Sequence, residues 1–228
     1  MMKTSLVVIF IIIAFLIASK ITAAQTKQEP KLIVTWQAQN YQPNDYKGKN
    51  LPTVNSPIIA AVELIDNDKI INLSSVNITW LQNSEIIVSG QGLKRIAFNN
   101  NGLFGDRVMI EADIIYKEKN LQGAAIIPIV SPKTVISTPH IFNQEIKAGV
   151  YNFKATPFFF NIKKLSELAF SWSVNDQQES GGQNPDALNL QITSENRGPV
   201  PLNLTATISN INNIIETAKD ELRFILMP

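Results

Sequence analysis

Ile78-Thr79-Trp80-Leu81-Gln82-Asn83 and, 92 residues later (172 − 80), Phe170-Ser171-Trp172-Ser173-Val174-Asn175 are the two stretches on which the fold is read. Each is short, rich in aromatic and β-branched residues, and ends on asparagine, the composition of a strand running into a turn. Thr79 precedes Trp80 and serines flank Trp172. With a side-chain period of two, each strand then carries its tryptophan on one face and small hydroxyls on the other. Such a strand is buried on one side only, which assigns Trp80 and Trp172 to structural cores.

The sequence flanking these stretches repeats in the same order. Gly90-Gln91-Gly92 corresponds to Gly181-Gly182-Gln183, and the alternating run Val108–Ile114 corresponds to Leu202–Ile208, its alanines 94 apart (206 − 112). Three landmarks at nearly one offset indicate a tandem unit of about 95 residues. Strand-like segments at Leu32–Ala38, Ile58–Ile65, Asn77–Gln82, Glu85–Ser89, Lys94–Phe98, Arg107–Tyr116 and Ala124–Ile129 are separated by turn signals at Asp66-Asn67-Asp68, Asn83-Ser84, Gly90-Gln91-Gly92, Asn99–Gly102 and Lys119-Asn120. The expected fold class is all-β: two tandem immunoglobulin-like β-sandwich domains, residues 31–131 and 132–228, meeting near Ser131-Pro132-Lys133. Tyr41–Pro57, with its prolines and asparagines, reads as a long irregular connection.

Composition narrows the function. Of 228 residues 45% are hydrophobic and 17% charged, enough apolar material for packed cores. Lys+Arg 20 against Asp+Glu 19, with no basic cluster, argues against a nucleic-acid partner. Cysteine is absent, which excludes disulfides, thiolate metal sites and cysteine nucleophiles. At the start, Lys3, the apolar run Leu6–Ala18 and Thr22-Ala23-Ala24 read as an export signal over residues 1–24, followed by a polar linker at 25–30. The run would span roughly 20 Å as a helix against a hydrocarbon core of about 30 Å, so cleavage is expected, with an uncleaved membrane anchor as the alternative. The expected location is extracytoplasmic, secreted or at the cell surface.

The Phe/Ile-x-Trp-x-x-Asn strand, the glycine-containing loop and the later alternating strand resemble PKD-like and other immunoglobulin-like domains of bacterial surface proteins. Lys154–Phe160, Leu168–Asn175 and Asn184-Pro185 look like stretches of uncharacterised exported proteins of the candidate-phyla (Patescibacteria) group. Both copies lack the Trp-Asp-Phe-Gly-Asp-Gly run of a standard PKD repeat. The resemblance implies a sandwich fold and a role in adhesion, spacing or surface assembly, and it carries over no catalytic residue.

Chemistry-bearing residues are few. His140 is the single histidine, and no Gly-x-Ser-x-Gly elbow accompanies it. Asp66 and Asp68 are weak Ca²⁺ candidates within an Asx-rich turn that lacks the glycine and distal glutamate of an EF-hand. In Phe158-Phe159-Phe160 an uninterrupted strand would point Phe159 opposite to its neighbours, toward a covering domain or a partner. Tyr41 and Tyr46, in the long loop after Trp36, are candidate binding residues because sandwich loops carry ligand contacts. The sequons at Asn72, Asn77 and Asn203 are expected by chance in so asparagine-rich a chain. The expectation is a non-catalytic module that binds, spaces or assembles partners, either protein or cell-envelope glycan, with no cofactor. An accessory carbohydrate- or cell-wall-binding protein is the alternative, and a secreted hydrolase the further one.

Overall fold

The computed structural model describes residues 28–139, 144–180, 184–193 and 198–228. The export signal, His140 and the Gly181-Gly182-Gln183 landmark lie outside the described residues. Among the described residues no helix is long and apolar enough to cross a membrane.

The first half forms eight strands: β1 (Lys31–Ala38), β2 (Pro57–Asp66), β3 (Lys69–Ile71), β4 (Asn77–Gln82), β5 (Glu85–Gln91), β6 (Arg95–Asn99), β7 (Arg107–Tyr116) and β8 (Lys119–Pro128). β2 pairs with β1 on one side and with β6 and β3 on the other, while the facing sheet runs β5-β4-β7-β8. Alternation sets the register. In β2, Ile58, Ala60, Val62 and Leu64 point inward, and in β7, Val108, Ile110, Ala112 and Ile114 do. The two inner faces close on Trp80, which is fully buried.

The second half repeats the plan with β9 (Lys133–Ser137), β10 (Glu145–Ile146), β11 (Gly149–Phe158), β12 (Leu168–Val174), β13 (Gln177–Glu179), β14 (Ala187–Ile192), β15 (Val200–Asn210) and β16 (Asn213–Leu226). β14-β11-β9 faces β10-β16-β15-β12-β13, with β10 parallel to β16. Each half encloses its own core, the first ending at Ile129 and the second beginning at Ile136. Apart from one 3-10 turn at Leu165–Glu167 the regular elements of the described residues are all β, forming two immunoglobulin-like sandwiches in tandem.

The repeat extends to single hydrogen bonds. Trp80 pairs with Ala112, and Trp172 with Ala206. Each alanine is the small residue that makes room beside the indole. Trp80 Nε1 donates to Leu93 O at 2.8 Å and Trp172 Nε1 to Pro185 O at 3.3 Å, each 13 residues downstream. Asn83-Ser84 and Asn175-Asp176 both hold positive φ, the mark of a two-residue hairpin. Asn83 Oδ1 accepts from Met109 N, and Asn175 Oδ1 from Asn203 N.

Two local expectations change. The turn expected at Lys119-Asn120 falls instead at Lys117-Glu118, with φ of 48 and 63°, and Lys119 opens β8. Lys117 Nζ reaches the buried Asp66 carboxylate at 2.6 Å from that turn, a long-range tie invisible to local propensity. The strand carrying the phenylalanines ends at Phe158, and Phe159 takes φ 66° rather than continuing the alternation.

Candidate functional site: the joint between the sandwiches

The long connection after β1, residues 39–56, leaves the first sandwich, lies against the second and returns to start β2. Tyr41 N donates to Phe160 O at 2.7 Å and Phe159 N to Tyr41 O at 2.8 Å, a short backbone bridge between the two halves. Asn40 Nδ2 donates to Phe159 O and Leu51 O, both at 2.8 Å, and Asn50 Nδ2 closes the loop on Asn40 O at 2.6 Å. Only a turn out of β11 presents both the N–H and C=O of Phe159 to this loop. A bulky side chain with positive φ is strained by about 1–3 kcal/mol, and the surrounding bonds hold it there.

Aromatic rings cover the bridge. The Tyr46 ring lies edge-on to Phe158 at 5.4 Å and to Phe159 at 5.9 Å. Gly48 lets it lie flat, since a Cβ there would collide with the Tyr46 ring and hydroxyl. Tyr41 packs on the second core, and burial together with Asp186 and Asp45 raises its phenol above the ordinary value. Trp36 stays with the first sandwich, its Nε1 donating to Ile126 O at 3.2 Å and its face covered by the Lys49 ammonium at 3.4 Å. Burial lowers the Lys49 pKa.

Beneath the rings sits a polar cluster. Glu216 is buried; its Oε1 accepts from Asn161 N at 2.7 Å and Thr53 Oγ1 at 3.2 Å, and its Oε2 from Asn210 Nδ2 at 2.6 Å. Ser56 Oγ donates to Asn161 Oδ1 at 2.5 Å, Asn161 Nδ2 donates to Val54 O, and Asn100 Nδ2 donates to Thr53 O and Ser56 O. Three donors satisfy this carboxylate, and among the described residues no cation pairs with it. Removing any one would leave a buried acceptor short of a partner.

The structure therefore brings Tyr41, Tyr46 and Phe159 together, and what they contact is the chain's own other half. Sequence reasoning missed Thr53, Asn161, Asn210 and Glu216. Their only sequence signal is that Thr53 and Ser56 lie in the long loop. Asp66 and Asp68 do not converge on a common site. Asp66 is held by Lys117, the Tyr116 hydroxyl and Asn67 Nδ2, while Asp68 is exposed in the β2–β3 hairpin. Among the described residues no three His, Cys, Asp or Glu side chains gather as a metal group would require.

A second feature lies on the outer face of β4-β7-β8. A groove of about 660 Å³ is lined by Asn77, Thr79, Asp113, Asn120 and Gln122, flanked by Ile115. Thr79 pairs with Asp113, and Asp113 with Gln122, so these side chains form one row across three strands. Asp113 Oδ1 is buried and accepts no hydrogen bond from the described residues.

Fold and site define a tandem immunoglobulin-like module whose two sandwiches are tied by a built joint. No family model matches the chain, and no curated protein matches it. Among solved structures it is similar to the three N-terminal domains of the bacteriophage RB49 Highly Immunogenic Outer Capsid protein. That match has 8% identity and a TM-score of 0.45, and covers 87% of this chain and 59% of that one. It is also similar to fibronectin(III)-like modules of Clostridium thermocellum CbhA, at 9% identity, TM-score 0.29, 85% and 93% covered. A third is a C-terminal intimin fragment in complex with the intimin-binding domain of its translocated receptor, at 12% identity, TM-score 0.29, 88% and 64% covered.

Proposed function

We propose that the chain is a non-catalytic extracytoplasmic module that holds two sandwich surfaces in one fixed orientation for a protein partner. The joint carries this reading. A spacer with free domains needs no buried Glu216 cluster, whereas a module that presents a composite surface needs its halves locked. The β6–β7 loop that supplies Asn100 to the joint also exposes Leu103 and Phe104, and the β15–β16 hairpin that supplies Asn210 and Glu216 exposes Ile211, Ile214 and Ile215, which offer apolar contact surface. The apolar Leu6–Ala18 run supports export, and the sequence resemblance supports a PKD-like, bacterial surface type. N-terminal sequencing of the protein from its host tests export, since a mature chain beginning at Met1 in the cytosol would refute it.

A second reading, cell-envelope glycan binding, is favoured by the Asn77–Thr79–Asp113–Gln122 groove. Its hydroxyl, amide and carboxylate groups suit a polyhydroxylated ligand. Tyr41 and Tyr46, the rings first offered for that role, are engaged with the second sandwich, so the groove carries it instead. Binding of the labelled chain to envelope fractions of its own host separates the two. Loss of binding after protease treatment supports the protein partner, and loss only after glycan digestion supports the groove. Hydrolysis of a substrate in a broad screen would overturn both.

A further inference from the structure

The two sandwiches share one topology, which makes a difference between equivalent strands informative. β5 and β13 occupy the same place, each paired, among the described residues, only with its Trp-bearing neighbour and each at a sheet edge. In the second sandwich this edge is blunted as edges usually are: β13 has three residues, Gln177-Gln178-Glu179, all polar. In the first, β5 runs seven residues, Glu85-Ile86-Ile87-Val88-Ser89-Gly90-Gln91, with Ile86 69%, Ile87 39% and Val88 37% exposed. None of the three belongs to the core. The far edge of the same sheet is closed, because β8 lies so near β1 that a Cβ on Gly123 would meet Leu32 O at 2.8 Å. Among the described residues β5 thus leaves an unpaired row of backbone groups beside apolar side chains, with no lysine and no proline to repel a strand.

We infer that β5 is a self-association edge, on which a second copy of this chain adds its own β5 antiparallel to form a two-fold dimer. Charge favours this occupant. β5 and its neighbour β4 together hold one charged residue, Glu85, at the strand's end. With the pair centred on Val88, Glu85 of one copy stands opposite the uncharged Gln91 of the other. Ile86 and Ile87 then face Gly90 and Ser89, so no like charges meet. A formal net charge of +1 adds little general repulsion between copies. β5 bulges at Ile87, where Trp80 pairs with Val88 but Leu81 with Ile86, so in this register the regular Val88–Gln91 half of each copy lies against the bulged half of the other. The inference does not depend on the role proposed at the cell surface, since it concerns only contact between identical chains.

Sedimentation velocity over a concentration series tests it, on the wild type, Val88→Lys, and Gln178→Lys on β13 as the control edge. The expected result is a monomer–dimer equilibrium that Val88→Lys weakens by about ten-fold or more and Gln178→Lys leaves unchanged. Because the chain has no cysteine, Val88→Cys gives an independent readout. In the centred register it meets its own copy within disulfide reach and forms a covalent dimer on oxidation, whereas Gln178→Cys does not. A monomer at every concentration, a dimer insensitive to Val88→Lys, or equal cross-linking from both cysteines would overturn the inference. Val88→Lys must keep the wild-type melting temperature, and if it does not, the cysteine pair decides.

Discussion

Tyr41 ties backbone and ring to the second sandwich at once, and its phenol titrates above the ordinary value of 10.0 because of burial, then Asp186, then Asp45. A raised folded value means the native state holds the proton more tightly than the unfolded chain. The contribution is fully present below the unfolded pKa and is lost as pH rises through the folded one. Thermal stability of the wild type is therefore expected to fall more steeply above pH 10 than that of Tyr41→Phe, checked by melting curves across the alkaline range. Glu216 makes a sharper case. Its oxygens face donors on both sides, and Asn210 cannot turn its amide because its Oδ1 already accepts from Asn212 N. Glu216→Gln places an N–H against one of those donors. A loss of about 1–3 kcal/mol is expected in denaturant unfolding despite unchanged size.

At the scale of elements, turns and close approaches decide where strands end and sheets meet. The hairpins at Asn83-Ser84 and Asn175-Asp176 need two residues with positive φ, and each asparagine also caps the neighbouring strand through its Oδ1. Asn175→Ala should cost about 1–2 kcal/mol from the left-handed backbone plus the lost acceptor. Asn175→Gly should lose only the latter, so comparing the two in chemical denaturation separates backbone from side chain. Gly123 governs a different boundary. Gly123→Ala forces β8 away from β1 and should destabilise the first sandwich by about 1–3 kcal/mol. Hydrogen exchange is expected to rise in β1 and β8 and to stay unchanged in β11–β16.

For the whole molecule the decisive quantity is coupling between the halves. Each has a complete core and could unfold alone, so the joint determines whether they do so together. Calorimetry of the wild type is expected to show one transition. Thr53→Ala combined with Tyr46→Ala removes a donor to Glu216 and the ring over Phe158 and Phe159 without touching either core, and should split it into two. A single unchanged transition in that variant would show that the joint does not couple the domains.

The two sandwiches are legible in the residues alone. Strands are specified locally, by alternation, β-branched residues and Asn-rich turns, and the repeats around Trp80 and Trp172 marked Ala112 and Ala206 as equivalent positions, whose pairing with the tryptophans is seen only in the folded sheets. The sequence also singled out the long loop and the aromatics Tyr41, Tyr46 and Phe159 as candidate contact residues. What these residues touch follows from the assembled fold. Their partner lies over a hundred residues away, as in the Asn40–Phe159 bond, and such pairing leaves no local pattern. Glu216 reads in sequence as an ordinary strand residue, and the exposed flank of β5 as an ordinary apolar one. Burial of the one and exposure of the other are set by which strand ends beside which, a property of the assembled sheets.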